Sequence, residues 1–226
     1  MALLLCMYVV VRVIFIYTVS KTAGEYIPFS KYLIYIGNGL RFDVAGLSIL
    51  NSLFIILYFF PHGFTESTWV KKGTLYLFII SNALGLLVSL SDIVYFPYVQ
   101  KRIQADTFLY LTGEKGDNVY TILYIFMKGN WPLIVLYFLM LYVLIKYAKR
   151  ILAKVIQQHQ KVKDYLIATA SYLLIIGLCI LGIRGGLQMK PLDIIHASEM
   201  VSAKEVPYIL NTPFTITKTL EKGSLR

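Results

Sequence analysis

The feature that most restricts what this chain can fold into is a series of five apolar runs, near residues 2–19, 44–60, 74–95, 131–147 and 165–183. A helix needs about 20 mostly apolar residues to cross roughly 30 Å of hydrocarbon. A backbone in lipid must satisfy its own hydrogen bonds, so each run is predicted to be helical. Composition points the same way. The chain is 58% hydrophobic and 15% charged, with a mean hydropathy of +0.67, whereas soluble domains average about 45–50% apolar and about 25% charged residues. The expected fold class is all-α and integral to a membrane. Five transmembrane helices occupy residues 1–183, and an extracytoplasmic juxtamembrane linker occupies 184–226. That linker is amphipathic, and its pattern predicts a short interfacial helix around 193–206 followed by an extended piece.

Charge sets the expected sidedness. The connection between the fourth and fifth runs carries Lys146, Lys149, Arg150, Lys154, Lys161 and Lys163 against Asp164 alone. Short loops rich in Lys and Arg stay in the cytoplasm. Alternation then places Lys71, Lys72 and the N-terminus inside, and everything after the fifth run outside. The outer loops are mixed in sign, with Lys101, Arg102, Lys115 and Lys128 opposed by Asp106, Glu114 and Asp117. The net charge of +10 is thus read as a topology signal and not as a nucleic-acid surface. The first run is read as a retained helix, since Arg12 lies inside it and no small-x-small cleavage site follows.

Chemistry-bearing motifs are missing. Cys6 and Cys179 fall within apolar runs without CxxC spacing and are expected to be buried structural thiols. His62, His159 and His196 are scattered over separate loops. The sequence offers no Gly-rich phosphate loop, nucleophile triad or paired-carboxylate motif, so no catalytic residue, metal ligand or cofactor is assigned to this chain.

The polar residues within the runs are informative. Asn82, Gly85, Ser89 and Asp92 recur at helical spacing and define a helix-packing face, with Ser81 extending the small-xxx-small series. The second run repeats the pattern with Arg41, Ala45, Ser48 and Ser52. Charge inside a membrane is costly. Arg12 and Asp92 are therefore read as structural intramembrane charges, expected to pair with each other. Arg41, Arg102 and Arg184 fall near the outer headgroup level. The planar guanidinium fork matches phosphate, so these three are the candidates for lipid-phosphate contact. At the end of the fifth run, "GIRGGLQMKP" (182–191) predicts a turn along the outer surface, with Gly185 and Gly186 permitting it and Pro191 preventing helical continuation.

Four stretches, "GLRFDVAGLSILNSLFIILYFFP" (39–61), "SDIVYFPYVQKRIQAD" (91–106), "RGGLQMKPL" (184–192) and "NTPF" (211–214), occur in the same order in the membrane region of lipoteichoic acid synthase-like proteins. The likeness is nearest to the Bacteroidetes-type sulfatase-family members of the alkaline phosphatase superfamily. The resemblance runs from about residue 12 to the end of the chain. It implies a multi-pass protein of the bacterial cytoplasmic membrane that anchors an extracytoplasmic sulfatase-like domain, in cis or in trans. That domain would use a divalent metal, typically manganese, and a threonine nucleophile to move a phosphoglycerol group from an anionic phospholipid. By that resemblance the chain stops at Arg226, where the catalytic domain is due. It is therefore expected to be a truncated product, an excised domain or half of a split system. The alternatives are a stand-alone membrane scaffold and a small transporter or flippase subunit.

Overall fold

The computed structural model describes residues 1–61, 67–107, 129–152 and 162–223, which form helices and connecting turns with no strand among them. Five helices are long and apolar enough to cross a membrane. They are α1 (Ala2–Ala23), α2 (Phe29–Tyr58), α3 (Thr68–Val99), α4 (Trp131–Leu152) and α5 (Val162–Arg184). Three short helices follow: α6 (Ile195–Met200), α7 (Val206–Ile209) and α8 (Thr212–Gly223). His62, Gly63, Glu114, Lys115, Asp117, Lys128, Lys154, His159 and Lys161 lie outside the described residues.

Helix ends follow local chemistry. At the end of α1, Gly24 adopts φ 68° while its N–H and that of Glu25 bond the carbonyls of Lys21 and Ser20. α5 ends in the same way. Gly185, at φ 74°, donates to Gly182, and Gly186 donates to Leu181, both at 3.0 Å. This double closure satisfies the last carbonyls and turns the chain. Pro97 is confined to the last turn of α3, which Gln100 closes at φ 57°. α2 is much longer than its apolar run. The helix starts after Pro28, at Phe29 and not near 44, because nothing between them breaks helical hydrogen bonding.

α1, α2 and α3 pack against one another, α4 lies on α3, and α5 lies on α2. Of the apolar windows of α1, α2 and α3, 44% is buried, against 17% for α4 and none for α5. The first three therefore form the core, and the last two flank it. Small residues make the contacts close. A Cβ on Gly182 of α5 would collide with the Ser48 hydroxyl of α2, and Cys179 on the same face meets the Ser48 carbonyl. Cys6, by contrast, is exposed. The expectation that both thiols are buried fails for Cys6 and is met only in part by Cys179, which is half-buried, because an apolar run in lipid has an outward face as favourable as its inward one.

The larger correction concerns the segment after α5. The short helix expected around 193–206 is present as α6, but in place of the extended piece after it, residues 206–223 form a helical hairpin packed among α1, α2 and α3. Ile209, Thr215 and Phe214 are fully buried there. Tyr208 sits between Phe15 and Tyr35, with ring centroids 6.3 and 5.2 Å away, and Phe214 meets Phe42 at 5.4 Å. Each such side chain removed from water stabilises docking by about 1.5–3 kcal/mol.

A candidate functional site built on arginines

The hairpin enters and leaves at the same end of the bundle. At its start, Glu205 meets Lys31 near the beginning of α2. Its far arm returns to the connection after α3, where Thr219 accepts from the Ala105 N–H at 2.9 Å. Between these points the chain breaks at Leu210 and Asn211, level with the middles of the core helices. A Cβ on Gly46 would lie 2.8 Å from Asn211 Oδ1, and one on Gly85 would lie 2.5 Å from the Tyr8 hydroxyl and 3.7 Å from Pro213. The local sequence explains the break. α7 ends in extended backbone at Leu210, and α8 restarts with Asn211 as its cap, Oδ1 accepting from the Phe214 N–H at 3.3 Å, just ahead of an early proline.

A break at this depth leaves backbone carbonyls without helical donors, which apolar surroundings penalise by several kcal/mol each. Two arginines supply the donors. Arg102 uses all five of its N–H groups. Nε and Nη2 reach the Pro207 carbonyl at 2.9 and 2.6 Å, Nη2 also reaches that of Leu210 at 3.1 Å, and Nη1 bonds Asp92 at 2.7 Å and Thr212 Oγ1 at 3.1 Å. Its guanidinium also lies 3.6 Å from the Phe15 ring centroid. Arg12 Nη1 donates to the carbonyls of Tyr208 and Leu210, at 2.7 and 3.3 Å. Its Nη2 donates to Gly39 and to Asp43 Oδ1, at 3.2 and 2.5 Å. Both cations thus converge on the Leu210 carbonyl.

The carboxylates complete the centre. Asp43 Oδ1 also accepts from Asn211 Nδ2 at 2.7 Å. Asp92 accepts from the Thr212 hydroxyl at 2.8 Å and the Ile103 N–H at 3.0 Å. All four charged side chains are buried, at 4% for Arg12, 1% for Asp43, 0% for Asp92 and 7% for Arg102. Burial works against the charge on Arg102 and Asp92 opposes that effect.

These contacts reassign the charges. The Arg12–Asp92 pair expected from the sequence is replaced by Arg12–Asp43 and Arg102–Asp92. The physical reason is the turn at Gln100, which folds Arg102 back onto its own helix and places a shorter-range partner beside Asp92. Arg102, a candidate for lipid phosphate, is turned inward with no donor left for a ligand. Arg41 and Arg184 stay at the surface turn. Arg41 Nε donates to the Gly185 carbonyl at 2.7 Å, and its Nη2 to Gln188 Oε1. Arg184 is exposed and donates to the carbonyls of Gln188 and Met189, at 3.0 and 3.1 Å.

The packing face on α3 is likewise placed. Asn82 exchanges amide hydrogen bonds with Asn51 of α2, at 2.7 and 3.1 Å. Gly85 meets α1, α2 and the hairpin, and Ser89 bonds the Gly85 carbonyl on its own helix at 2.7 Å. Among the described residues no group of His, Cys, Asp and Glu is arranged to hold a metal. His196 accepts the Asp193 N–H at 3.0 Å.

The chain matches no protein-family model, no curated protein and no solved structure.

Four residues central to this site escape a reading by periodicity: Asp43, Asn51, Asn211 and Thr212. The available signal for Asp43 was its flanking by Gly39 and Gly46, four before and three after, which marks one closely approached helix face. Asn211-Thr212-Pro213 carries an N-cap signature, but nothing local to it shows that the cap lies inside the bundle.

At the mouth of the hairpin, Glu205 accepts from Lys31 at 2.5 Å, Tyr35 at 2.7 Å and the Ser202 hydroxyl at 2.8 Å. The hydrogen bonds from Lys31, Tyr35 and Ser202 pull the Glu205 carboxyl down to about 2.

Proposed function

We propose that this chain is the membrane-anchoring domain of a lipoteichoic acid synthase-like phosphoglycerol transferase or sulfatase. In this reading it lies in the bacterial cytoplasmic membrane with its N-terminus inside and the segment after α5 outside. There it holds a metal-dependent sulfatase-like domain, in cis or in trans, close to anionic lipid headgroups. A manganese-type ion and the nucleophile belong to that domain.

The observation that carries the proposal is the docked hairpin. Residues 206–215 are tied to the bundle by hydrogen bonds from Arg12 and Arg102 to their carbonyls and from Asn211 and Thr212 to Asp43 and Asp92, so a domain joined to α8 is held by the bundle and not by a free tether. A fixed stance matters for an enzyme acting on lipid, since an ångström of misplacement at the reacting centre can change rate about 100-fold. The basic connection after α4 supports the orientation.

The test is a pair of reporters fused after residue 226, one active only outside the cytoplasm and one only inside. Activity of the outside reporter alone is expected. Activity of the inside reporter would reject the reading. In a protein carrying the catalytic domain, Asp43→Asn is then expected to lower phosphoglycerol transfer from vesicle lipid while sparing a soluble substrate.

A small transporter or flippase subunit is a second reading, favoured by one observation. A helix broken level with the bundle middle is how many transporters build a substrate site. Against it, the charges at this break are occupied by internal partners. Scrambling of a fluorescent phospholipid in proteoliposomes separates the two readings.

A further inference from the structure

The outer half of α5 and the turn after it enclose an open groove of about 600 Å³. Leu173, Leu174, Leu178 and Leu181 line it, Gly177 leaves room within it, and Arg184 and Gly186 stand at one end. Arg41 lies directly behind that end, its Nη2 3.9 Å from where a Cβ on Gly186 would sit. Both guanidiniums grip Gln188, Arg41 through the side-chain oxygen and Arg184 through the carbonyl. Every acceptor they use at this turn is neutral.

No ion pair among the described residues includes Arg41 or Arg184. Two cations held by one glutamine without a carboxylate repel each other and attract an anion. Arg184 also keeps Nε and Nη1 unbonded among the described residues, and each can donate a single charged hydrogen bond to a phosphate oxygen. The groove leading to this guanidinium is apolar and belongs to the helix with no buried share in its apolar window. An apolar trough that ends in unneutralised guanidiniums matches one occupant: an acyl chain joined to an anionic headgroup.

We infer that this is a binding site for an anionic phospholipid, with an acyl chain along α5 and the phosphate on Arg184, backed by Arg41. The site deepens the anchor reading and rests on it only for the side of the membrane. Retention of lipid in nanodiscs, where both leaflets are alike, does not depend on orientation. The two proposals therefore fail separately.

The experiment uses the full chain in nanodiscs of phosphatidylcholine with one-fifth phosphatidylglycerol, released into the gas phase for native mass spectrometry. Selective retention of one phosphatidylglycerol is expected, reduced roughly tenfold in Arg184→Gln, as loss of a charged hydrogen bond implies. Gly177→Phe, which fills the groove and leaves both arginines in place, is expected to reduce it comparably with unchanged thermal stability. Retention equal for the two lipids, or unaffected by both substitutions, overturns the site. Displacement by water-soluble glycerol phosphate at equal concentration also overturns it, since the apolar groove would then contribute nothing.

Discussion

Arg12 and Arg102 differ from Arg41 and Arg184 in what surrounds the same side chain. The first two are buried at mid-bundle, each has a carboxylate, and together they satisfy the carbonyls of a broken helix. The second two lie at the surface turn, bonded to an amide and to backbone carbonyls, with no carboxylate among the described residues. Burial decides which arrangement is stable. A charge removed from water needs an opposite charge and further hydrogen bonds, which Arg102 makes with every N–H and Arg12 with both Nη groups but not Nε. A charge at a wet interface does not need them. The inner pair therefore acts as structure, and the outer pair remains able to hold a ligand.

The strongest way to break this contrast is Asp43→Ala. It leaves Arg12 buried without its counter-ion, and a loss of about 3–5 kcal/mol is expected, seen as a collapse of the monodisperse peak and a large fall in Tm in detergent. The double variant Arg12→Met with Asp43→Leu is expected to recover only part of this, because the carbonyls of Tyr208 and Leu210 lose a donor. Complete recovery would mean that the hairpin does not need capping.

Thr212→Val tests the other inner pair with less damage. Its hydroxyl links Asp92 and Arg102, so about 1–3 kcal/mol is expected to be lost, with faster hydrogen exchange over residues 206–215. An exchange rise spread evenly over all helices would argue against a specific clamp.

Glu205→Gln probes the hairpin mouth, and its effect is expected not to exceed about 1 kcal/mol because Lys31 is half exposed. The pH dependence has a definite sign. Folding lowers the Glu205 carboxyl from its ordinary 4.5 to about 2. Its stabilisation is thus present above pH 4.5 and lost as pH falls through about 2. The Tm gap between wild type and Glu205→Gln should close across that window, and a constant gap would contradict the assignment. Smallest of all, Arg184→Gln should alter Tm by no more than a surface substitution does, about 0.5 kcal/mol. A larger loss would move Arg184 into the structural class.

Much of the fold is legible in the residues. The apolar runs locate all five helices that are long and apolar enough to cross a membrane, because a membrane admits few backbone solutions. Gly185 and Gly186 mark the close of α5 because only glycine accepts those φ values readily. The α3 face of Asn82, Gly85, Ser89 and Asp92 appears as periodicity because all four residues lie within three turns of one helix. The partners were less legible. Arg12 had two acidic residues within reach, Asp43 and Asp92, and helical spacing does not choose between them. The return of the hairpin was hidden altogether, since residues 206–223 are amphipathic and read equally well as lying on a surface.

The apolar blocks, the basic connection and the glycine turns are properties of short stretches of chain, so the amino-acid order alone determines them. The assignment of each arginine rests on contacts across great distances in the chain: Arg12 meets Tyr208 196 positions away, and Arg102 meets Pro207 105 positions away. Only tertiary packing brings those groups together. It decided which cations are buried and neutralised and which remain at the surface, because the energy of a charge depends on what surrounds it and not on its neighbours in sequence.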